Sequence, residues 1–267
     1  MGKLAGEYPY LAAQLTGESM PYQKNRHFMK SGFSESVHEI SDQAKKVPYP
    51  PLQKPIPAGS PPLIDLPDPE HAELKKGDLS RLLKDRQSWR KYTVEELSLE
   101  ELSYLLFASQ GLLAEVGNGY ATRRTVPSAG ARHPFETYLA VNRVTGLVPG
   151  TYRYLPLSHQ LLPLEETNNL PDLLTVANLG QKFVGNSAVT FSWSCLPYRA
   201  EWRYMGYAHK NMLLDAGHIC QNLYLAATAL GLGTCAVGAY DQAAMDAIFE
   251  LDGEDEYIVY LAPVGKI

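Results

Sequence analysis

Residues 213–240 read LLDAGHICQNLYLAATALGLGTCAVGAY. Taken back to residue 207, this stretch repeats apolar side chains at helical spacing: Met212, Leu213, Ala216, Ile219, Cys220, Leu223, Ala226, Ala227 and Leu230. The spacing predicts a helix over 207–230. Its apolar face is broad enough for a central helix buried on most sides. Gly231 and Gly233 supply the stop, and 234–239 reads as a short strand. The run 219–240 carries no charge and is long enough to cross a bilayer. Gln221, Asn222, Thr228, Thr234 and the two glycines argue instead for a buried helix followed by a buried strand. The GxG here follows a helix and precedes a strand. A dinucleotide-binding loop needs the reverse order, so that reading is excluded.

Working outward, 257–264 reads as a closing strand and Asp241 as the cap of a helix to about residue 251. Upstream, SAVTFSWSC over 187–195 alternates as a strand, and 170–184 is helical in two pieces. GTYRYLPLSHQLLPLEE over 150–166 reads as a hairpin, and FETYLAVNRV over 135–144 as a strand. Ser98 and Glu101 form a capping box ahead of Leu99, Leu102, Leu105, Leu106 and Leu113. Strands and helices mix without a strict βαβ rhythm. The fold class is therefore α+β, or a three-layer sandwich, rather than a doubly wound parallel sheet.

Residues 1–80 differ in character. The stretch between Pro48 and Pro69 is dense in proline, which removes amide donors and fixes φ, so it runs extended. It also carries Tyr49, Leu52, Ile56, Leu63, Ile64 and Leu66. These predict an arm packed on the body or on a second subunit, leaving 81–267 as the main domain.

The chain has 267 residues, 45% hydrophobic and 20% charged, with a formal charge of −5. This composition excludes a disordered chain, a fibre and a small disulfide scaffold. A mildly acidic balance gives no global push towards nucleic acid or an anionic membrane. The N-terminus lacks the apolar core of a signal peptide. Cys195, Cys220 and Cys235 sit in apolar runs with no CxxC pair, which fits reduced core thiols in a cytoplasmic protein. No HExxH, GxxxxGK[ST] or GxSxG occurs, and no metal site is expected.

Three segments could carry chemistry. The first is RQSWRKY at 86–92. In an extended chain Arg86, Ser88 and Arg90 share one side, with Gln87 and Trp89 on the other. Two guanidiniums and a hydroxyl on one side suit a phosphate; the bland alternative is a solvated basic loop. The second is RRTVPSAGARHP at 123–134. Ser128, Ala129, Gly130 and Ala131 are small and let backbone approach a flat ligand. His133 is a proton donor or, more simply, a structural histidine before a strand. The third is the 231–240 segment already quoted.

Together these segments resemble the nitroreductase family of FMN-dependent flavoproteins. RQSWRKY, VPSAGARHP, the 213–240 stretch and YLAPVGK at 260–266 appear in the family's order over roughly 80–267. Within the family, the proline-rich leader, Thr125 to Pro134 and Asp215-Ala-Gly-His218 resemble the SagB-type branch of azoline dehydrogenases. The resemblance implies an α/β/α sandwich with a mostly antiparallel sheet, and a cytoplasmic homodimer with FMN at the subunit interface. It implies a phosphate held by Arg86, Gln87, Ser88 and Arg90, with Lys266 as a further cation. Pro127, Ser128, Ala129 and Gly130 would lie along the isoalloxazine, and the Val237-Gly238 backbone would approach N5 of the ring. The implied activity is ping-pong hydride transfer from a donor such as NAD(P)H to a small organic acceptor. The alternatives are azoline oxidation in a modified peptide and flavin binding without turnover.

Two departures bear on that activity. The branch's Lys-Tyr pair is Arg203-Tyr204 here. These two are the candidate catalytic residues, but arginine cannot serve as the proton acceptor that lysine can. The closing GKI at 265–267 lacks the family's longer basic tail, which throws more of the phosphate onto Arg86 and Arg90.

Overall fold

The computed structural model describes residues 25, 26, 28–30, 40–167 and 169–267. By internal contacts the chain divides into Met1–Ile40 and Ser41–Ile267, and the second unit is described below. Much of the expected N-terminal arm, residues 1–24, 27 and 31–39, lies outside the described residues.

Nine strands and seven helices are described. The strands are β1 (Ile64–Asp65), β2 (Leu112–Val116), β3 (Ala121–Arg124), β4 (Phe135–Val141), β5 (Gly150–Leu155), β6 (Gln160–Glu166), β7 (Val189–Cys195), β8 (Leu232–Thr234) and β9 (Tyr257–Lys266). The helices are α1 (Leu79–Asp85), α2 (Leu99–Gln110), α3 (Leu170–Ala177), α4 (Lys182–Gly185), α5 (Tyr198–Tyr204), α6 (Ala208–Leu230) and α7 (Gln242–Ile248).

Seven strands form one sheet in the order β1-β6-β5-β4-β7-β9-β8, and β2 and β3 form a separate hairpin. Every pairing among these named strands is antiparallel. β4 and β7 are buried along their whole length. Alternation sends successive side chains to opposite faces. Phe135, Leu139 and Val141 of β4 join Leu102, Leu105 and Leu106 of α2 and the inner face of α6. Tyr138 and Ala140 face the other way, onto Leu174 of α3, Val184 of α4 and Met245 of α7. Two helical layers thus cover one sheet, the three-layer arrangement expected.

The helix ends follow the sequence. Ser98 accepts from the Glu101 amide while the Glu101 carboxylate accepts from the Ser98 amide, completing the capping box. Asp241 caps α7 through the Ala244 amide. α6 stops where Gly231 turns left-handed at φ 72°. All three cysteines are buried and unpaired. No described helix is long and apolar enough to cross a membrane.

One element differs from expectation. The strand expected over 234–239 is Leu232–Thr234 instead, followed by a single bridge from Val237 to Leu261. Thr234 still pairs with β9, but Cys235 and Ala236 swing out of register. The Ala236 amide is captured by the Tyr224 hydroxyl at 2.8 Å, which bends the chain towards α6.

The described part of the proline-rich segment lies against the body, by a route other than apolar burial. Of its large apolar residues only Leu66 is buried, while Tyr49 and Ile56 are exposed. Proline has no amide hydrogen but keeps its carbonyl, and carbonyls are what the body grips. Val47 O accepts from Trp202, Leu52 O from Arg124, Pro55 O from Arg153 and Pro67 O from Ser103. Lys54 adds three bonds. Its amide donates to Glu136 at 2.8 Å, and its ammonium donates to Tyr138 and pairs with Glu256.

Candidate functional site

α6 organises the site from two points along its length. The first is Asp215, buried in an otherwise apolar helical face. Its carboxylate accepts from the Ser128 hydroxyl at 2.6 Å and from the Ala129 amide at 3.2 and 3.3 Å. The Ser128 hydroxyl accepts in turn from the His133 amide at 2.9 Å. These bonds close the small-residue segment into a tight turn in which Gly130 takes φ 59°. A Cβ on Gly130 would lie 2.5 Å from the Tyr204 hydroxyl and 3.1 Å from Arg203 Cδ and Nε. Glycine is therefore required there twice, by conformation and by space. Burial raises the Asp215 pKa above the ordinary carboxylate range despite the Ser128 and Ala129 bonds.

The second point is Tyr224. Its hydroxyl holds the Ala236 amide and lies 2.9 Å from Ser88 Oγ, while the Arg86 guanidinium carbon stands 5.3 Å from its ring centre. Residues 86–90 run extended beside β8, with the Trp89 amide donating to Thr234 O at 2.9 Å. Arg86 and Ser88 therefore meet at one place, as the alternation predicted. Arg90, expected with them, has its guanidinium carbon 5.9 Å from the Phe183 ring centre, on α4. Gln87, expected on the opposite side, lines the same cleft as Arg86. This cleft of about 470 Å³ is also lined by Lys76, Lys84, Trp89 and Gly231. Lys76 is paired with Asp85 at 2.7 Å. Lys84 and Arg86 have no carboxylate partner among the described residues.

Tyr224 follows Asp215 by nine residues, so the two anchors are about 13.5 Å apart along the helix. Nine residues are also two and a half turns, so α6 holds the first segment on one side and the second on the opposite side.

Two other expected residues stand differently from expectation. The Val237 amide already donates to Leu261 O at 2.8 Å, so it is not available to a ring nitrogen. Gly238 is exposed, and its amide has no partner among the described residues. Lys266, expected as a further cation, is paired with Glu101 at 2.5 Å. Its charge is thereby balanced by the capping box of α2. Pro127 is exposed at the entry to the small-residue turn.

His133 is buried, with Nε2 against Thr122 O at 3.2 Å. Burial, followed by the nearby Arg124, pushes its pKa down to about 3, so it stands as a neutral structural histidine. Arg203 and Tyr204 close α5 above Gly130. Arg203 donates to the Tyr120 hydroxyl at 3.4 Å, and its guanidinium carbon is 5.3 Å from the Tyr204 ring centre.

Sequence reading missed the partners of these residues. Asp215 was singled out only as part of a motif, though a carboxylate on an apolar helical face was itself a signal. The buried pair Arg199–Glu136, at 2.6 Å, was missed too. Glu136 also takes the Lys54 amide and so ties α5, β4 and the proline-rich segment together.

The arrangement pairs a backbone-lined turn with a cationic cleft, joined by one helix. Residues 83–266 match the nitroreductase family, and the chain belongs to it. A protein of Methanocaldococcus jannaschii, MJ1384, assigned as a nitroreductase, is 34% identical over 203 residues, covering 76% of this chain and 96% of its own. The trifolitoxin-processing protein TfxB of Rhizobium leguminosarum bv. trifolii is 32% identical over 165 residues, covering 59% of this chain and 44% of its own. A crystal structure from Ralstonia eutropha, described as a nitroreductase, superposes with a TM-score of 0.63 at 25% identity. It covers 82% of this chain and 98% of its own. The trifolitoxin-processing relative supports the likeness to the SagB-type branch.

Proposed function

We propose that the chain is an FMN-dependent oxidoreductase that passes a hydride from a donor such as NAD(P)H to a small organic acceptor in alternating half-reactions. The observation that carries this reading is the cationic cleft at Arg86, where Tyr224 of α6 fixes Ser88. Asp215 fixes a glycine turn on the opposite side of the same helix, about 13.5 Å further along its axis. The residues fit FMN on their own chemistry. Gly238 offers an exposed amide, and Lys84 and Arg86 offer charge to a phosphate.

When bound, FMN supplies the hydride chemistry, and the protein supplies position and electrostatics. Arg86 and Ser88 would hold the phosphate, with Arg90 completing the clamp by turning from Phe183. The 127–130 turn would fix the ring plane and exclude water from one side. The Gly238 amide, rather than that of Val237, would donate to the ring edge. The Tyr204 hydroxyl, above Gly130, would hold the proton delivered to the acceptor.

A homodimer is part of this reading. Leu213 and Leu214 are 52% and 55% exposed, and Gly217, His218 and Gln221 continue the same open stripe of α6. A second copy seated on that stripe would cover the apolar surface that α6 leaves open. Cytoplasmic residence fits the unpaired thiols.

A second reading, azoline oxidation in a modified peptide, draws on the likeness to TfxB. Arg203 weighs against it, because a guanidinium cannot accept the proton that such a step releases.

The test is flavin retention. Purified protein mixed with FMN and desalted should keep the yellow flavin absorption, and NADH or NADPH should bleach it until an acceptor is added. Arg86→Ala removes a charge-assisted contact worth about 1.5–3 kcal/mol, which weakens FMN binding about 10-fold to 100-fold. A colourless protein with an intact fold would overturn the assignment. Flavin that no donor reduces would leave a binding protein without turnover.

A further inference from the structure

Directly above Gly130 stands a group of side chains that the hydride reading does not use. Arg132 is only 5% exposed. Its guanidinium carbon lies 4.6 Å from the Tyr120 ring centre and 5.3 Å from that of Trp202. It donates to Gly130 O at 3.3 Å and to Tyr120 O. Arg203 meets the same tyrosine from the other end, donating to its hydroxyl at 3.4 Å. Gln43 also donates to that hydroxyl, at 2.7 Å.

One tyrosine therefore positions two guanidiniums, and no carboxylate answers either. Among the described residues, neither Arg132 nor Arg203 takes part in an ion pair. The nearby acids are occupied: Glu201 is with His209 at 2.9 Å, and Asp215 is spent on Ser128 and Ala129. Arg199, the other buried arginine of this region, shows the usual solution, since it has Glu136. Burial and then the charge of Arg203 lower the Arg132 pKa, as expected of like charges held together. Ring faces and carbonyls meet part of this charge, but cations with no carboxylate partner in a partly dry place still cost stability. Such a cost is commonly kept where a ligand supplies the missing charge.

We infer that Arg203, positioned by Tyr120 and backed by Arg132, binds a carboxylate on the acceptor substrate, so that the chain takes small organic acids rather than neutral acceptors. This rests on reading the 127–130 turn as the side of the flavin ring. Arg203 Cδ and Nε lie 3.1 Å from where a Gly130 Cβ would sit, so a carboxylate held there leaves the rest of a small molecule over the turn. The planar guanidinium takes a carboxylate through two parallel bonds, which fixes orientation as well as affinity. It also explains an arginine where the branch has lysine: the residue has exchanged proton transfer for anchoring.

The experiment is calorimetric titration of the full chain, with and without FMN, using benzoate, its neutral partner benzamide and inorganic phosphate. Benzoate should bind the FMN-loaded chain at least about 10-fold more tightly than benzamide. Arg203→Gln should weaken benzoate about 10-fold to 100-fold while leaving benzamide unchanged, and Arg203→Lys should recover part of the loss. Retention of FMN by Arg203→Gln controls for folding. Equal binding of the two probes, binding of neither, or an unchanged benzoate affinity in Arg203→Gln would overturn the inference. Phosphate binding in place of benzoate would also overturn it and give the site to a phosphate ester. If the chain holds no flavin, the oxidoreductase reading fails separately, and the flavin-free titration still decides the carboxylate site by the same comparison.

Discussion

Replacing Asp215 by alanine removes the carboxylate that ties the small-residue turn to α6. Three donor contacts end on this carboxylate, the Ser128 hydroxyl at 2.6 Å and the Ala129 amide shared between its two oxygens. Hydrogen bonds to a charged group contribute about 1.5–3 kcal/mol each, so two donors set an upper figure of about 3–6 kcal/mol. Two corrections lower it. Ser128 and Ala129 are half-buried, so water recovers part of each bond. The raised Asp215 pKa shows that its ionised form is itself held at a cost. A net loss of about 2–3 kcal/mol follows, and a chain of this size loses about 2–4 °C of Tm per kcal/mol, giving a fall of about 4–12 °C. Asp215→Asn should fall between the two, since its carbonyl keeps the Ala129 amide and its NH2 can still donate to Ser128 Oγ. The assay is urea unfolding followed by circular dichroism, with the slope m unchanged and the midpoint lowered. FMN retention should drop in parallel, because Gly130 is no longer held at φ 59°. A loss below about 1 kcal/mol, or full flavin retention in Asp215→Ala, would refute the reasoning that this carboxylate builds the turn.

Arg199→Met should cost about 3–5 kcal/mol, because it strands a nearly inaccessible Glu136 carboxylate; Arg199→Met with Glu136→Gln should cost clearly less. Chemical denaturation of the three proteins decides it, and a double variant as unstable as the single would contradict the pairing. A pH dependence follows from His133, whose pKa is pushed down to about 3 by burial and by Arg124. The unfolded chain takes up this proton below about pH 6.5 and the folded chain does not, so stability present above that pH is lost as pH falls towards 3. His133→Asn should flatten this limb of a stability–pH curve measured between pH 3 and 7; an unchanged slope would mean that His133 titrates normally.

What the sequence made legible is what local patterning controls. The span of α6, its glycine stop, the capping box at Ser98 and the β5–β6 hairpin each rest on residues a few positions apart. The β2–β3 hairpin was also written locally, in Gly117, Asn118 and Gly119, all at positive φ, and passed unread because its strands are short and β2 is largely exposed. α1 went unread for a similar reason: it is seven residues long and buries only Leu82. The strand expected over 234–239 was lost to a tertiary contact, the Tyr224 hydroxyl on the Ala236 amide, which no local pattern encodes. The site divides along the same line. Arg86, Ser88 and the small-residue turn were visible as motifs. Their anchors, Asp215 and Tyr224, lie 87 and 136 residues away along the chain. The commitment of Val237 to Leu261 and of Lys266 to Glu101 is likewise a matter of distant pairing.

The grip of Lys54 on Glu256 spans 202 residues. At about 5–20 residues per second of synthesis, Lys54 emerges from the ribosome roughly 10–40 s before its partner exists. Trp202, Arg124 and Arg153, which hold neighbouring carbonyls of the same segment, also arrive later than it does. β9 follows every other strand in the sequence yet lies between β7 and β8. Lys54 therefore waits for Glu256 while the sheet assembles, and their pairing is a late clasp over a nearly finished body. Proline suits that wait, because it leaves few amide donors for a sheet edge outside Ile64–Asp65, the pair that β6 takes.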